Sequence, residues 1–297
     1  MNRAKRLYKC MTLLNPETAA KVADLLMSKI PKSHLIINVS PGKDLLGKAL
    51  LNSGCSNILS AEPYEIDHLI LNYSHLSNYK CVKAYYPFLL EQQFPLSEYN
   101  LTKKCFSDND TEFSIVGNIH PTTFQLTLFR NFANSIIFGK FPFCYGNIVH
   151  YIIIPNSIFE TLNSKFIWKS NSRISDILGL HICKVVKLQE YPISHFSVNS
   201  TYNSLKFDKM CLIQINLNLQ NCTKDLKKFY HFLRFLRINK LERIIPLCEK
   251  LSNGIGQELI FNDFLMIDHI RDLDYDRLLK FYDIIKDKLN MDEISQD

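Results

Sequence analysis

Apolar positions along this chain come in two rhythms, short continuous runs and helical stripes, and their alternation predicts the fold. Residues 35–39 (LIINV) read as a buried strand, Pro41-Gly42 as a tight loop, 45–52 as a helix and 58–61 as a second buried strand ending on Glu62. Upstream, Asn15 as N-cap, Pro16 at the first helical position and Glu17 in the first turn predict a helix to about residue 29. Further strands are expected near 80–85, 113–117, 148–154, 181–188 and 210–216, with helices near 64–73 and 122–135. Residues 88–112 are polar without a period and read as a loop. Strand alternating with helix means an α/β, doubly wound, mostly parallel sheet. After Cys222 the pattern turns wholly helical, with helices expected at 223–238, 241–251, 262–270 and 275–289. The expected organisation is therefore an α/β domain over 1–221 and a small helical domain over 222–297.

Charge sharpens the second domain. In its first helix Leu226, Phe229, Tyr230, Leu233 and Leu236 share a side, while Lys227, Lys228, His231, Arg234, Arg237 and Lys240 take much of the rest. A basic helix that also carries Tyr230, Phe232 and Phe235 suits phosphate contacts, and equally suits the solvated face of a packing helix. From Glu258 onward there are 11 acids and 5 Lys/Arg, a net of −6, which leaves +12 on residues 1–257. A basic body with an acidic tail favours a polyanion partner. The nine cysteines are scattered and show no CxxC, which argues against zinc and a disulfide scaffold and fits a reducing compartment. The apolar runs are too short to cross a bilayer. Arg3, Lys5, Arg6 and Lys9 near the start resemble a targeting flank, too short to count as a transit peptide.

Two motifs carry chemistry. A strand–loop–helix–strand unit with an acid at the end of its second strand is how open α/β sheets hold a nucleoside, the glycine admitting the ligand and the acid accepting from ribose hydroxyls. Gly42 and Glu62 stand at that spacing, but the full GxGxxG pattern is absent. Asp44 sits where a pyrophosphate would need bare amides, so the loop suits a neutral or cationic nucleoside, with S-adenosylmethionine the natural candidate. The second motif is IVGNIHP (residues 115–121), which puts Asn118 at a strand end beside the expected crevice. Asn there can accept from and orient an exocyclic amine, or can simply cap a turn.

In this order and spacing, the motifs resemble the rRNA adenine N(6)-dimethyltransferase family, and within it the second paralogue of the mitochondrial transcription factor B branch. The resemblance spans nearly the whole chain: LLNPETAAKVADLL (13–26), NVSPGKDLLGKALLNSG (38–54), IVGNIHP, YGNIVHYIIIPNSIFETL (145–162), DILGLHICKVVKLQEYPISHF (176–196), CLIQINL (211–217) and FYHFLRFLRINKLERIIPLCEKL (229–251). It implies S-adenosylmethionine as cofactor, held by Asn15, Asn38, Ser40, Gly42 and Glu62, with Asn118 catalytic if the chain is active. Nucleic acid, promoter DNA or rRNA, is expected to lie on Lys227, Lys228, Arg234, Arg237 and Lys240. The branch further implies a monomer in the mitochondrial matrix, partnered by the mitochondrial RNA polymerase and not by a membrane.

The departures bear on activity. Family enzymes carry E-x-G-x-G-x-G where this chain has Asn38-Val39-Ser40-Pro41-Gly42-Lys43-Asp44, keeping one of three glycines and losing the leading acid. The family's acid after the third strand has no counterpart in KAYYPFLL (83–90), where Tyr85 and Tyr86 stand. In the N-[LI]-P-[YF] block Asn118 and Ile119 match, but His120 and Pro121 replace proline and the aromatic. That aromatic stacks on a flipped base, an interaction of about 1–3 kcal/mol. Phe124 is the nearest substitute and falls on the expected following helix; His120 reads as a surface or capping residue. The expectation is a scaffold with methyl transfer weak or lost, used as a transcription initiation factor. The alternative is an active dimethyltransferase of small-subunit rRNA.

Overall fold

The computed structural model describes residues 12–62, 66–84, 99–119, 128–162, 174–197, 209–222 and 226–288. The chain separates into two compact units, residues 1–161 with 183–218, and residues 162–182 with 219–297. In chain order the first unit holds β1 (Thr12–Leu13), α1 (Pro16–Met27), β2 (Leu35–Val39), α2 (Leu45–Asn52), β3 (Asn57–Ala61), α3 (Ile66–Tyr73), β4 (Tyr79–Val82) and β5 (Phe113–Asn118). It continues with α4 (Phe129–Phe138), β6 (His150–Pro155) and α5 (Asn156–Leu162). The second unit contributes α6 (Ile174–Ile182), after which β7 (Cys183–Pro192), β8 (Phe196–Ser197) and β9 (Lys209–Leu217) complete the first.

Seven strands form one sheet in the order β4-β3-β2-β5-β6-β9-β7. The first five run parallel, and β9 is antiparallel to both β6 and β7. From β2 the chain moves outward through β3 to β4, then returns to place β5 on the other side of β2. That reversal opens a crevice at the carboxyl ends of β2 and β5, where open sheets hold ligands. β2, β5 and β6 are buried at every residue, hence their continuous apolar runs. One face of the sheet, with Ile36, Ile58, Val116, Tyr151 and Ile153, shares a core with Ala19, Val22, Ala23 and Leu26 of α1 and Leu46 and Leu50 of α2. Phe132 of α4 packs edge-on to Phe143, with ring centroids 5.0 Å apart, and lies 4.6 Å from the His150 ring. Burying a side chain such as Phe132 stabilises by about 2–3 kcal/mol. β1 and β8 form a separate antiparallel ribbon that fixes the lead-in to α1.

The local signals of α1 are realised. Asn15 Oδ1 accepts from the Thr18 amide at 2.8 Å, and Pro16 opens the helix. The helix expected over 122–135 is seen at Phe129–Phe138, with residues 120–127 outside the described set. The strand expected from 181 begins at Cys183 because His181 and Ile182 close α6, and neither α5 nor α6 is anticipated by the sequence pattern.

The helical unit continues with α7 (Leu226–Ile238), α8 (Ile244–Leu251), α9 (Ile255–Phe261) and α10 (Tyr275–Ile285). The core of α7 is Leu226, Phe229, Phe232, Leu233, Phe235 and Leu236. Phe229 and Phe232 meet the Tyr282 ring of α10 at 5.0 and 5.1 Å. His181 stacks on Phe229 at 4.0 Å and hydrogen-bonds with the Tyr275 hydroxyl at 3.0 Å. The expected helix at 262–270 does not form; α9 precedes it. Asn262 caps the end of α9 through its amide to the Glu258 carbonyl, and Asp263 adopts a left-handed φ of +67°. Asp268 then draws the Leu265 amide onto its carboxylate at 2.7 Å, a local bond that competes with helix. Residues 268–271 instead run beside 240–244, with Ile244 N–H donating to the Asp268 carbonyl and Ile270 N–H to that of Glu242.

Candidate functional site

The crevice is framed by backbone that side chains could not occupy. Gly117, the penultimate residue of β5, pairs with Val39, the last of β2, at φ +133°. A Cβ there would fall inside contact distance of the Val39 carbonyl oxygen, 2.9 Å from the Val39 nitrogen and 3.1 Å from Asn38 Oδ1. Glycine is therefore obligatory for the two central strands to run side by side.

The turn after β2 keeps a glycine-type backbone with only one glycine at its three left-handed positions. Ser40, Gly42 and Asp44 have φ of +50°, +58° and +57°. For an L-residue this conformation costs about 1–2 kcal/mol, least for Asp and Asn. The cost is met by hydrogen bonds. Ser40 N–H donates to the Ala61 carbonyl at 2.9 Å, and Asp44 N–H to that of Pro41 at 3.0 Å. Gly42 N–H donates to Glu62 Oε2 at 3.2 Å. Above Gly42 sits Thr12 of β1, whose Cγ2 would be 2.5 Å from a Cβ at that position.

Asp44 is the hub of the site. It caps α2, its Oδ1 accepting from the Gly47 amide at 3.2 Å and from Asn38 Nδ2 at 2.8 Å. The Tyr79 hydroxyl donates to its other oxygen and also hydrogen-bonds with Ser60 Oγ at 2.5 Å. Tyr73 stacks on Tyr79 with centroids 4.1 Å apart. Asp44 has no solvent exposure, and burial pushes its carboxyl up to about 7 against the opposing pull of its hydrogen bonds. Burial also raises both tyrosine hydroxyls, so they stay protonated donors. Tyr73 and Tyr79 line a cleft of 320 Å³ at the sheet edge with Ile70, Lys80 and Cys81.

The residues named from sequence divide into three groups. Asn38, Ser40, Gly42 and Glu62 converge on the β2–α2 turn, and Asn118 lies one residue beyond the Val39–Gly117 pair. Asn118 Oδ1 and Asn38 Oδ1 are buried with no hydrogen-bond partner among the described residues. Asn15 belongs to the same unit, but its Oδ1 is spent on capping α1. Lys227, Lys228, Arg234, Arg237 and Lys240 are in the helical unit and all exposed. Of the aromatic residues on the same helix, Phe232 and Phe235 are core residues of α7 at 0% and 4% exposure, so no base can stack on them. His120, Pro121, Phe124, Tyr85 and Tyr86 lie outside the described residues.

Sequence reading missed the partners of Asp44 and the cover supplied by Thr12. A signal was present: Asn38, Ser60, Ser114 and Asn118 are polar residues at alternate positions of otherwise apolar buried strands, all on one face of the sheet. Such residues must find buried partners.

The cradle fits the two ends of S-adenosylmethionine unequally. Glu62 stands where ribose hydroxyls would be held, and the orphaned Asn118 oxygen can accept from an amine. The methionine end is the poorer fit, because Asn38, which stands where the resemblance implies an acid, has its Nδ2 committed to Asp44. Among the described residues no three His, Cys, Asp or Glu side chains converge on a metal site, and no helix is long and apolar enough to cross a membrane.

No protein-family model matches the sequence, nor does any curated protein. Among solved structures the chain is similar to the 23S rRNA methyltransferase ErmE, at 12% identity and a TM-score of 0.55 over 92% of this chain and 98% of that one. It is likewise similar to a dimethyladenosine transferase from Plasmodium falciparum, at 13% identity and a TM-score of 0.58 over 93% of this chain and 98% of that one. With the strand order above, these likenesses establish that the chain shares the Rossmann-like α/β fold of these two proteins.

Proposed function

We propose that this protein binds nucleic acid on an rRNA adenine dimethyltransferase scaffold whose methyl transfer is weak or lost. In this reading it serves as a transcription initiation factor, the second paralogue of mitochondrial transcription factor B, working as a monomer with the mitochondrial RNA polymerase in the matrix. The observation that carries it is the state of the β2–α2 turn: three left-handed positions persist with one glycine among them, and Asn38, where the resemblance implies an acid, is hydrogen-bonded to the helix-capping Asp44. The exposed row Lys227, Lys228, Arg234, Arg237 and Lys240 supports the nucleic-acid part, offering charge for counterion release from a phosphate backbone. The test is promoter melting on a linear duplex with the cognate polymerase, followed by a fluorescent base analogue. Melting is expected only with this protein and is expected to weaken when Arg234, Arg237 and Lys240 are replaced by Ala. Full initiation without it overturns the reading.

A second reading, an active dimethyltransferase of small-subunit rRNA, is favoured by Glu62 and by the buried Asn118 oxygen at the strand end, which has no partner among the described residues. The cofactor, when bound, supplies an electrophilic methyl group; Asn118 would hold the target amine and Glu62 the ribose. Transfer of labelled methyl to rRNA, abolished by Asn118→Ala, would put this reading first.

A further inference from the structure

At the end of α9 and in the turn after it, large apolar side chains face solvent on a well-bonded segment. Phe261, Leu265, Met266 and Ile267 are between 54% and 76% exposed, while Phe264 among them is buried. Phe264 N–H donates to the Leu259 carbonyl and Asp268 N–H to that of Leu265, both at 3.0 Å. Leu265 N–H donates to the Asp268 carboxylate, which also accepts from Arg277 of α10 at 2.6 Å, and the Arg277 guanidinium lies over the Phe264 ring. A turn pinned by so many internal bonds is not a frayed end, and an apolar patch held outward on it marks a contact surface. Positive charge adjoins the patch. His269, two residues after Ile267, pairs across a short ribbon with Arg243, and Arg271 N–H donates to the Lys240 carbonyl. Ile244 and Ile270 are fully buried on the ribbon's inner side, and Lys240, Leu241, Arg243 and Arg271 are exposed. Alternation turns Glu242, in step with Ile244, to the other side. The carboxylates nearest the patch are engaged, Asp263 with Lys280 at 3.2 Å, Asp268 with Arg277, and Asp272 with Arg271 at 3.7 Å.

We propose that this turn and its cationic ribbon dock on an anionic lipid bilayer, with Phe261, Leu265, Met266 and Ile267 entering the boundary between headgroups and acyl chains and Lys240 and Arg243 meeting lipid phosphates. The occupant follows from the chemistry on offer. Nucleic acid would satisfy the charges but give Leu265, Met266 and Ile267 no apolar medium, since bases stack on aromatic faces. A second copy of this chain would cover the apolar groups but bring like cations together. A helix of a partner protein needs a groove, and side chains this exposed stand out from the surface instead of lining one. A bilayer supplies hydrocarbon and negative charge side by side. Such a contact needs no spanning helix, and it is independent of whether methyl is transferred.

The experiment mixes the full chain with vesicles of phosphatidylcholine and phosphatidylglycerol, or of phosphatidylcholine alone, and reads co-flotation. The wild-type protein is expected to float with the anionic vesicles, and to do so less as salt rises. Met266→Ser combined with Ile267→Ser is expected to lower the partition coefficient at least about tenfold while leaving the melting temperature unchanged, both positions being exposed. Arg243→Gln is expected to lower it by a smaller factor. Ile267→Trp is expected to add emission that shifts to the blue with anionic vesicles and is quenched by brominated acyl chains. Absence of flotation with anionic vesicles overturns the proposal. So does flotation that the double Ser change leaves untouched, which would mean adsorption by charge alone. Self-association of the lipid-free chain, or affinity for single-stranded DNA, that the same double change abolishes would reassign the face to a second copy or to nucleic acid and overturn the proposal as well.

Discussion

The β2–α2 turn and the α7 helix are both candidates for function, yet they invest polar groups in opposite ways. In the turn, every polar side chain of the Asn38–Asp44–Tyr79–Ser60 chain is buried and joined to its neighbours. Shape is fixed there and little is offered to a visitor. On α7 the phenylalanines are spent on the core, and Lys228, Arg234 and Arg237, with Lys240 just past its end, are left in solvent. Charge is offered there, with no fixed geometry to discriminate between visitors. The contrast separates scaffold from contact surface: selectivity for one small molecule needs preorganised, unpaired groups, whereas capture of a polyanion needs only accessible charge.

The contrast can be broken at four strengths. The largest effect is expected at Gly117, where Val would drive a side chain into the β2 backbone; the first unit should lose more than about 4 kcal/mol or fail to fold, as read by chemical denaturation. Next is Phe232→Ala, expected to cost the helical unit about 3–5 kcal/mol. Its effect on nucleic-acid affinity in a still-folded sample should be small, since that ring touches no solvent. A third test uses pH. The carboxyl of Asp44 rises from 3.8 to about 7 on folding, so the native state holds a proton that the unfolded chain has released. Stability from this group is therefore full below the unfolded value and is lost as pH climbs to the folded one, by on the order of 4 kcal/mol in all. Asp44→Asn should flatten that part of the profile; an unchanged profile would show the carboxylate to be solvated. The smallest effect on stability, within about 0.5 kcal/mol, is expected for Arg234, Arg237 and Lys240 changed together to Ala. Yet the same triple change should lower the salt slope for single-stranded DNA by about 2.

Much of this is legible in the sequence. The bounds of β2 and α2, the Asn15 cap and the acid at the end of β3 follow from buried runs and capping chemistry, which are local. The turn from 262 to 270 was not, because a carboxylate at 268 and a left-handed Asp263 decide it against a helical apolar pattern. In the site, sequence located Gly42, Glu62 and Asn118 and marked Asp44 as out of place for a phosphate. It did not reveal what Asp44 does, since Tyr79 lies 35 residues away and meets it only once β4 is laid beside β3. Spacing leaves the side of Phe232 open because it falls on the flank of the apolar stripe, and α10, packed against α7, covers that flank.

Gly117 has a consequence for how such a molecule changes over generations. A residue that admits only hydrogen sets the distance between the two innermost strands, and that distance is the same whatever stands at the rim. Reactive groups can then be exchanged one at a time above an unmoving floor, and an ancestral chemistry can be lost while its architecture is inherited intact.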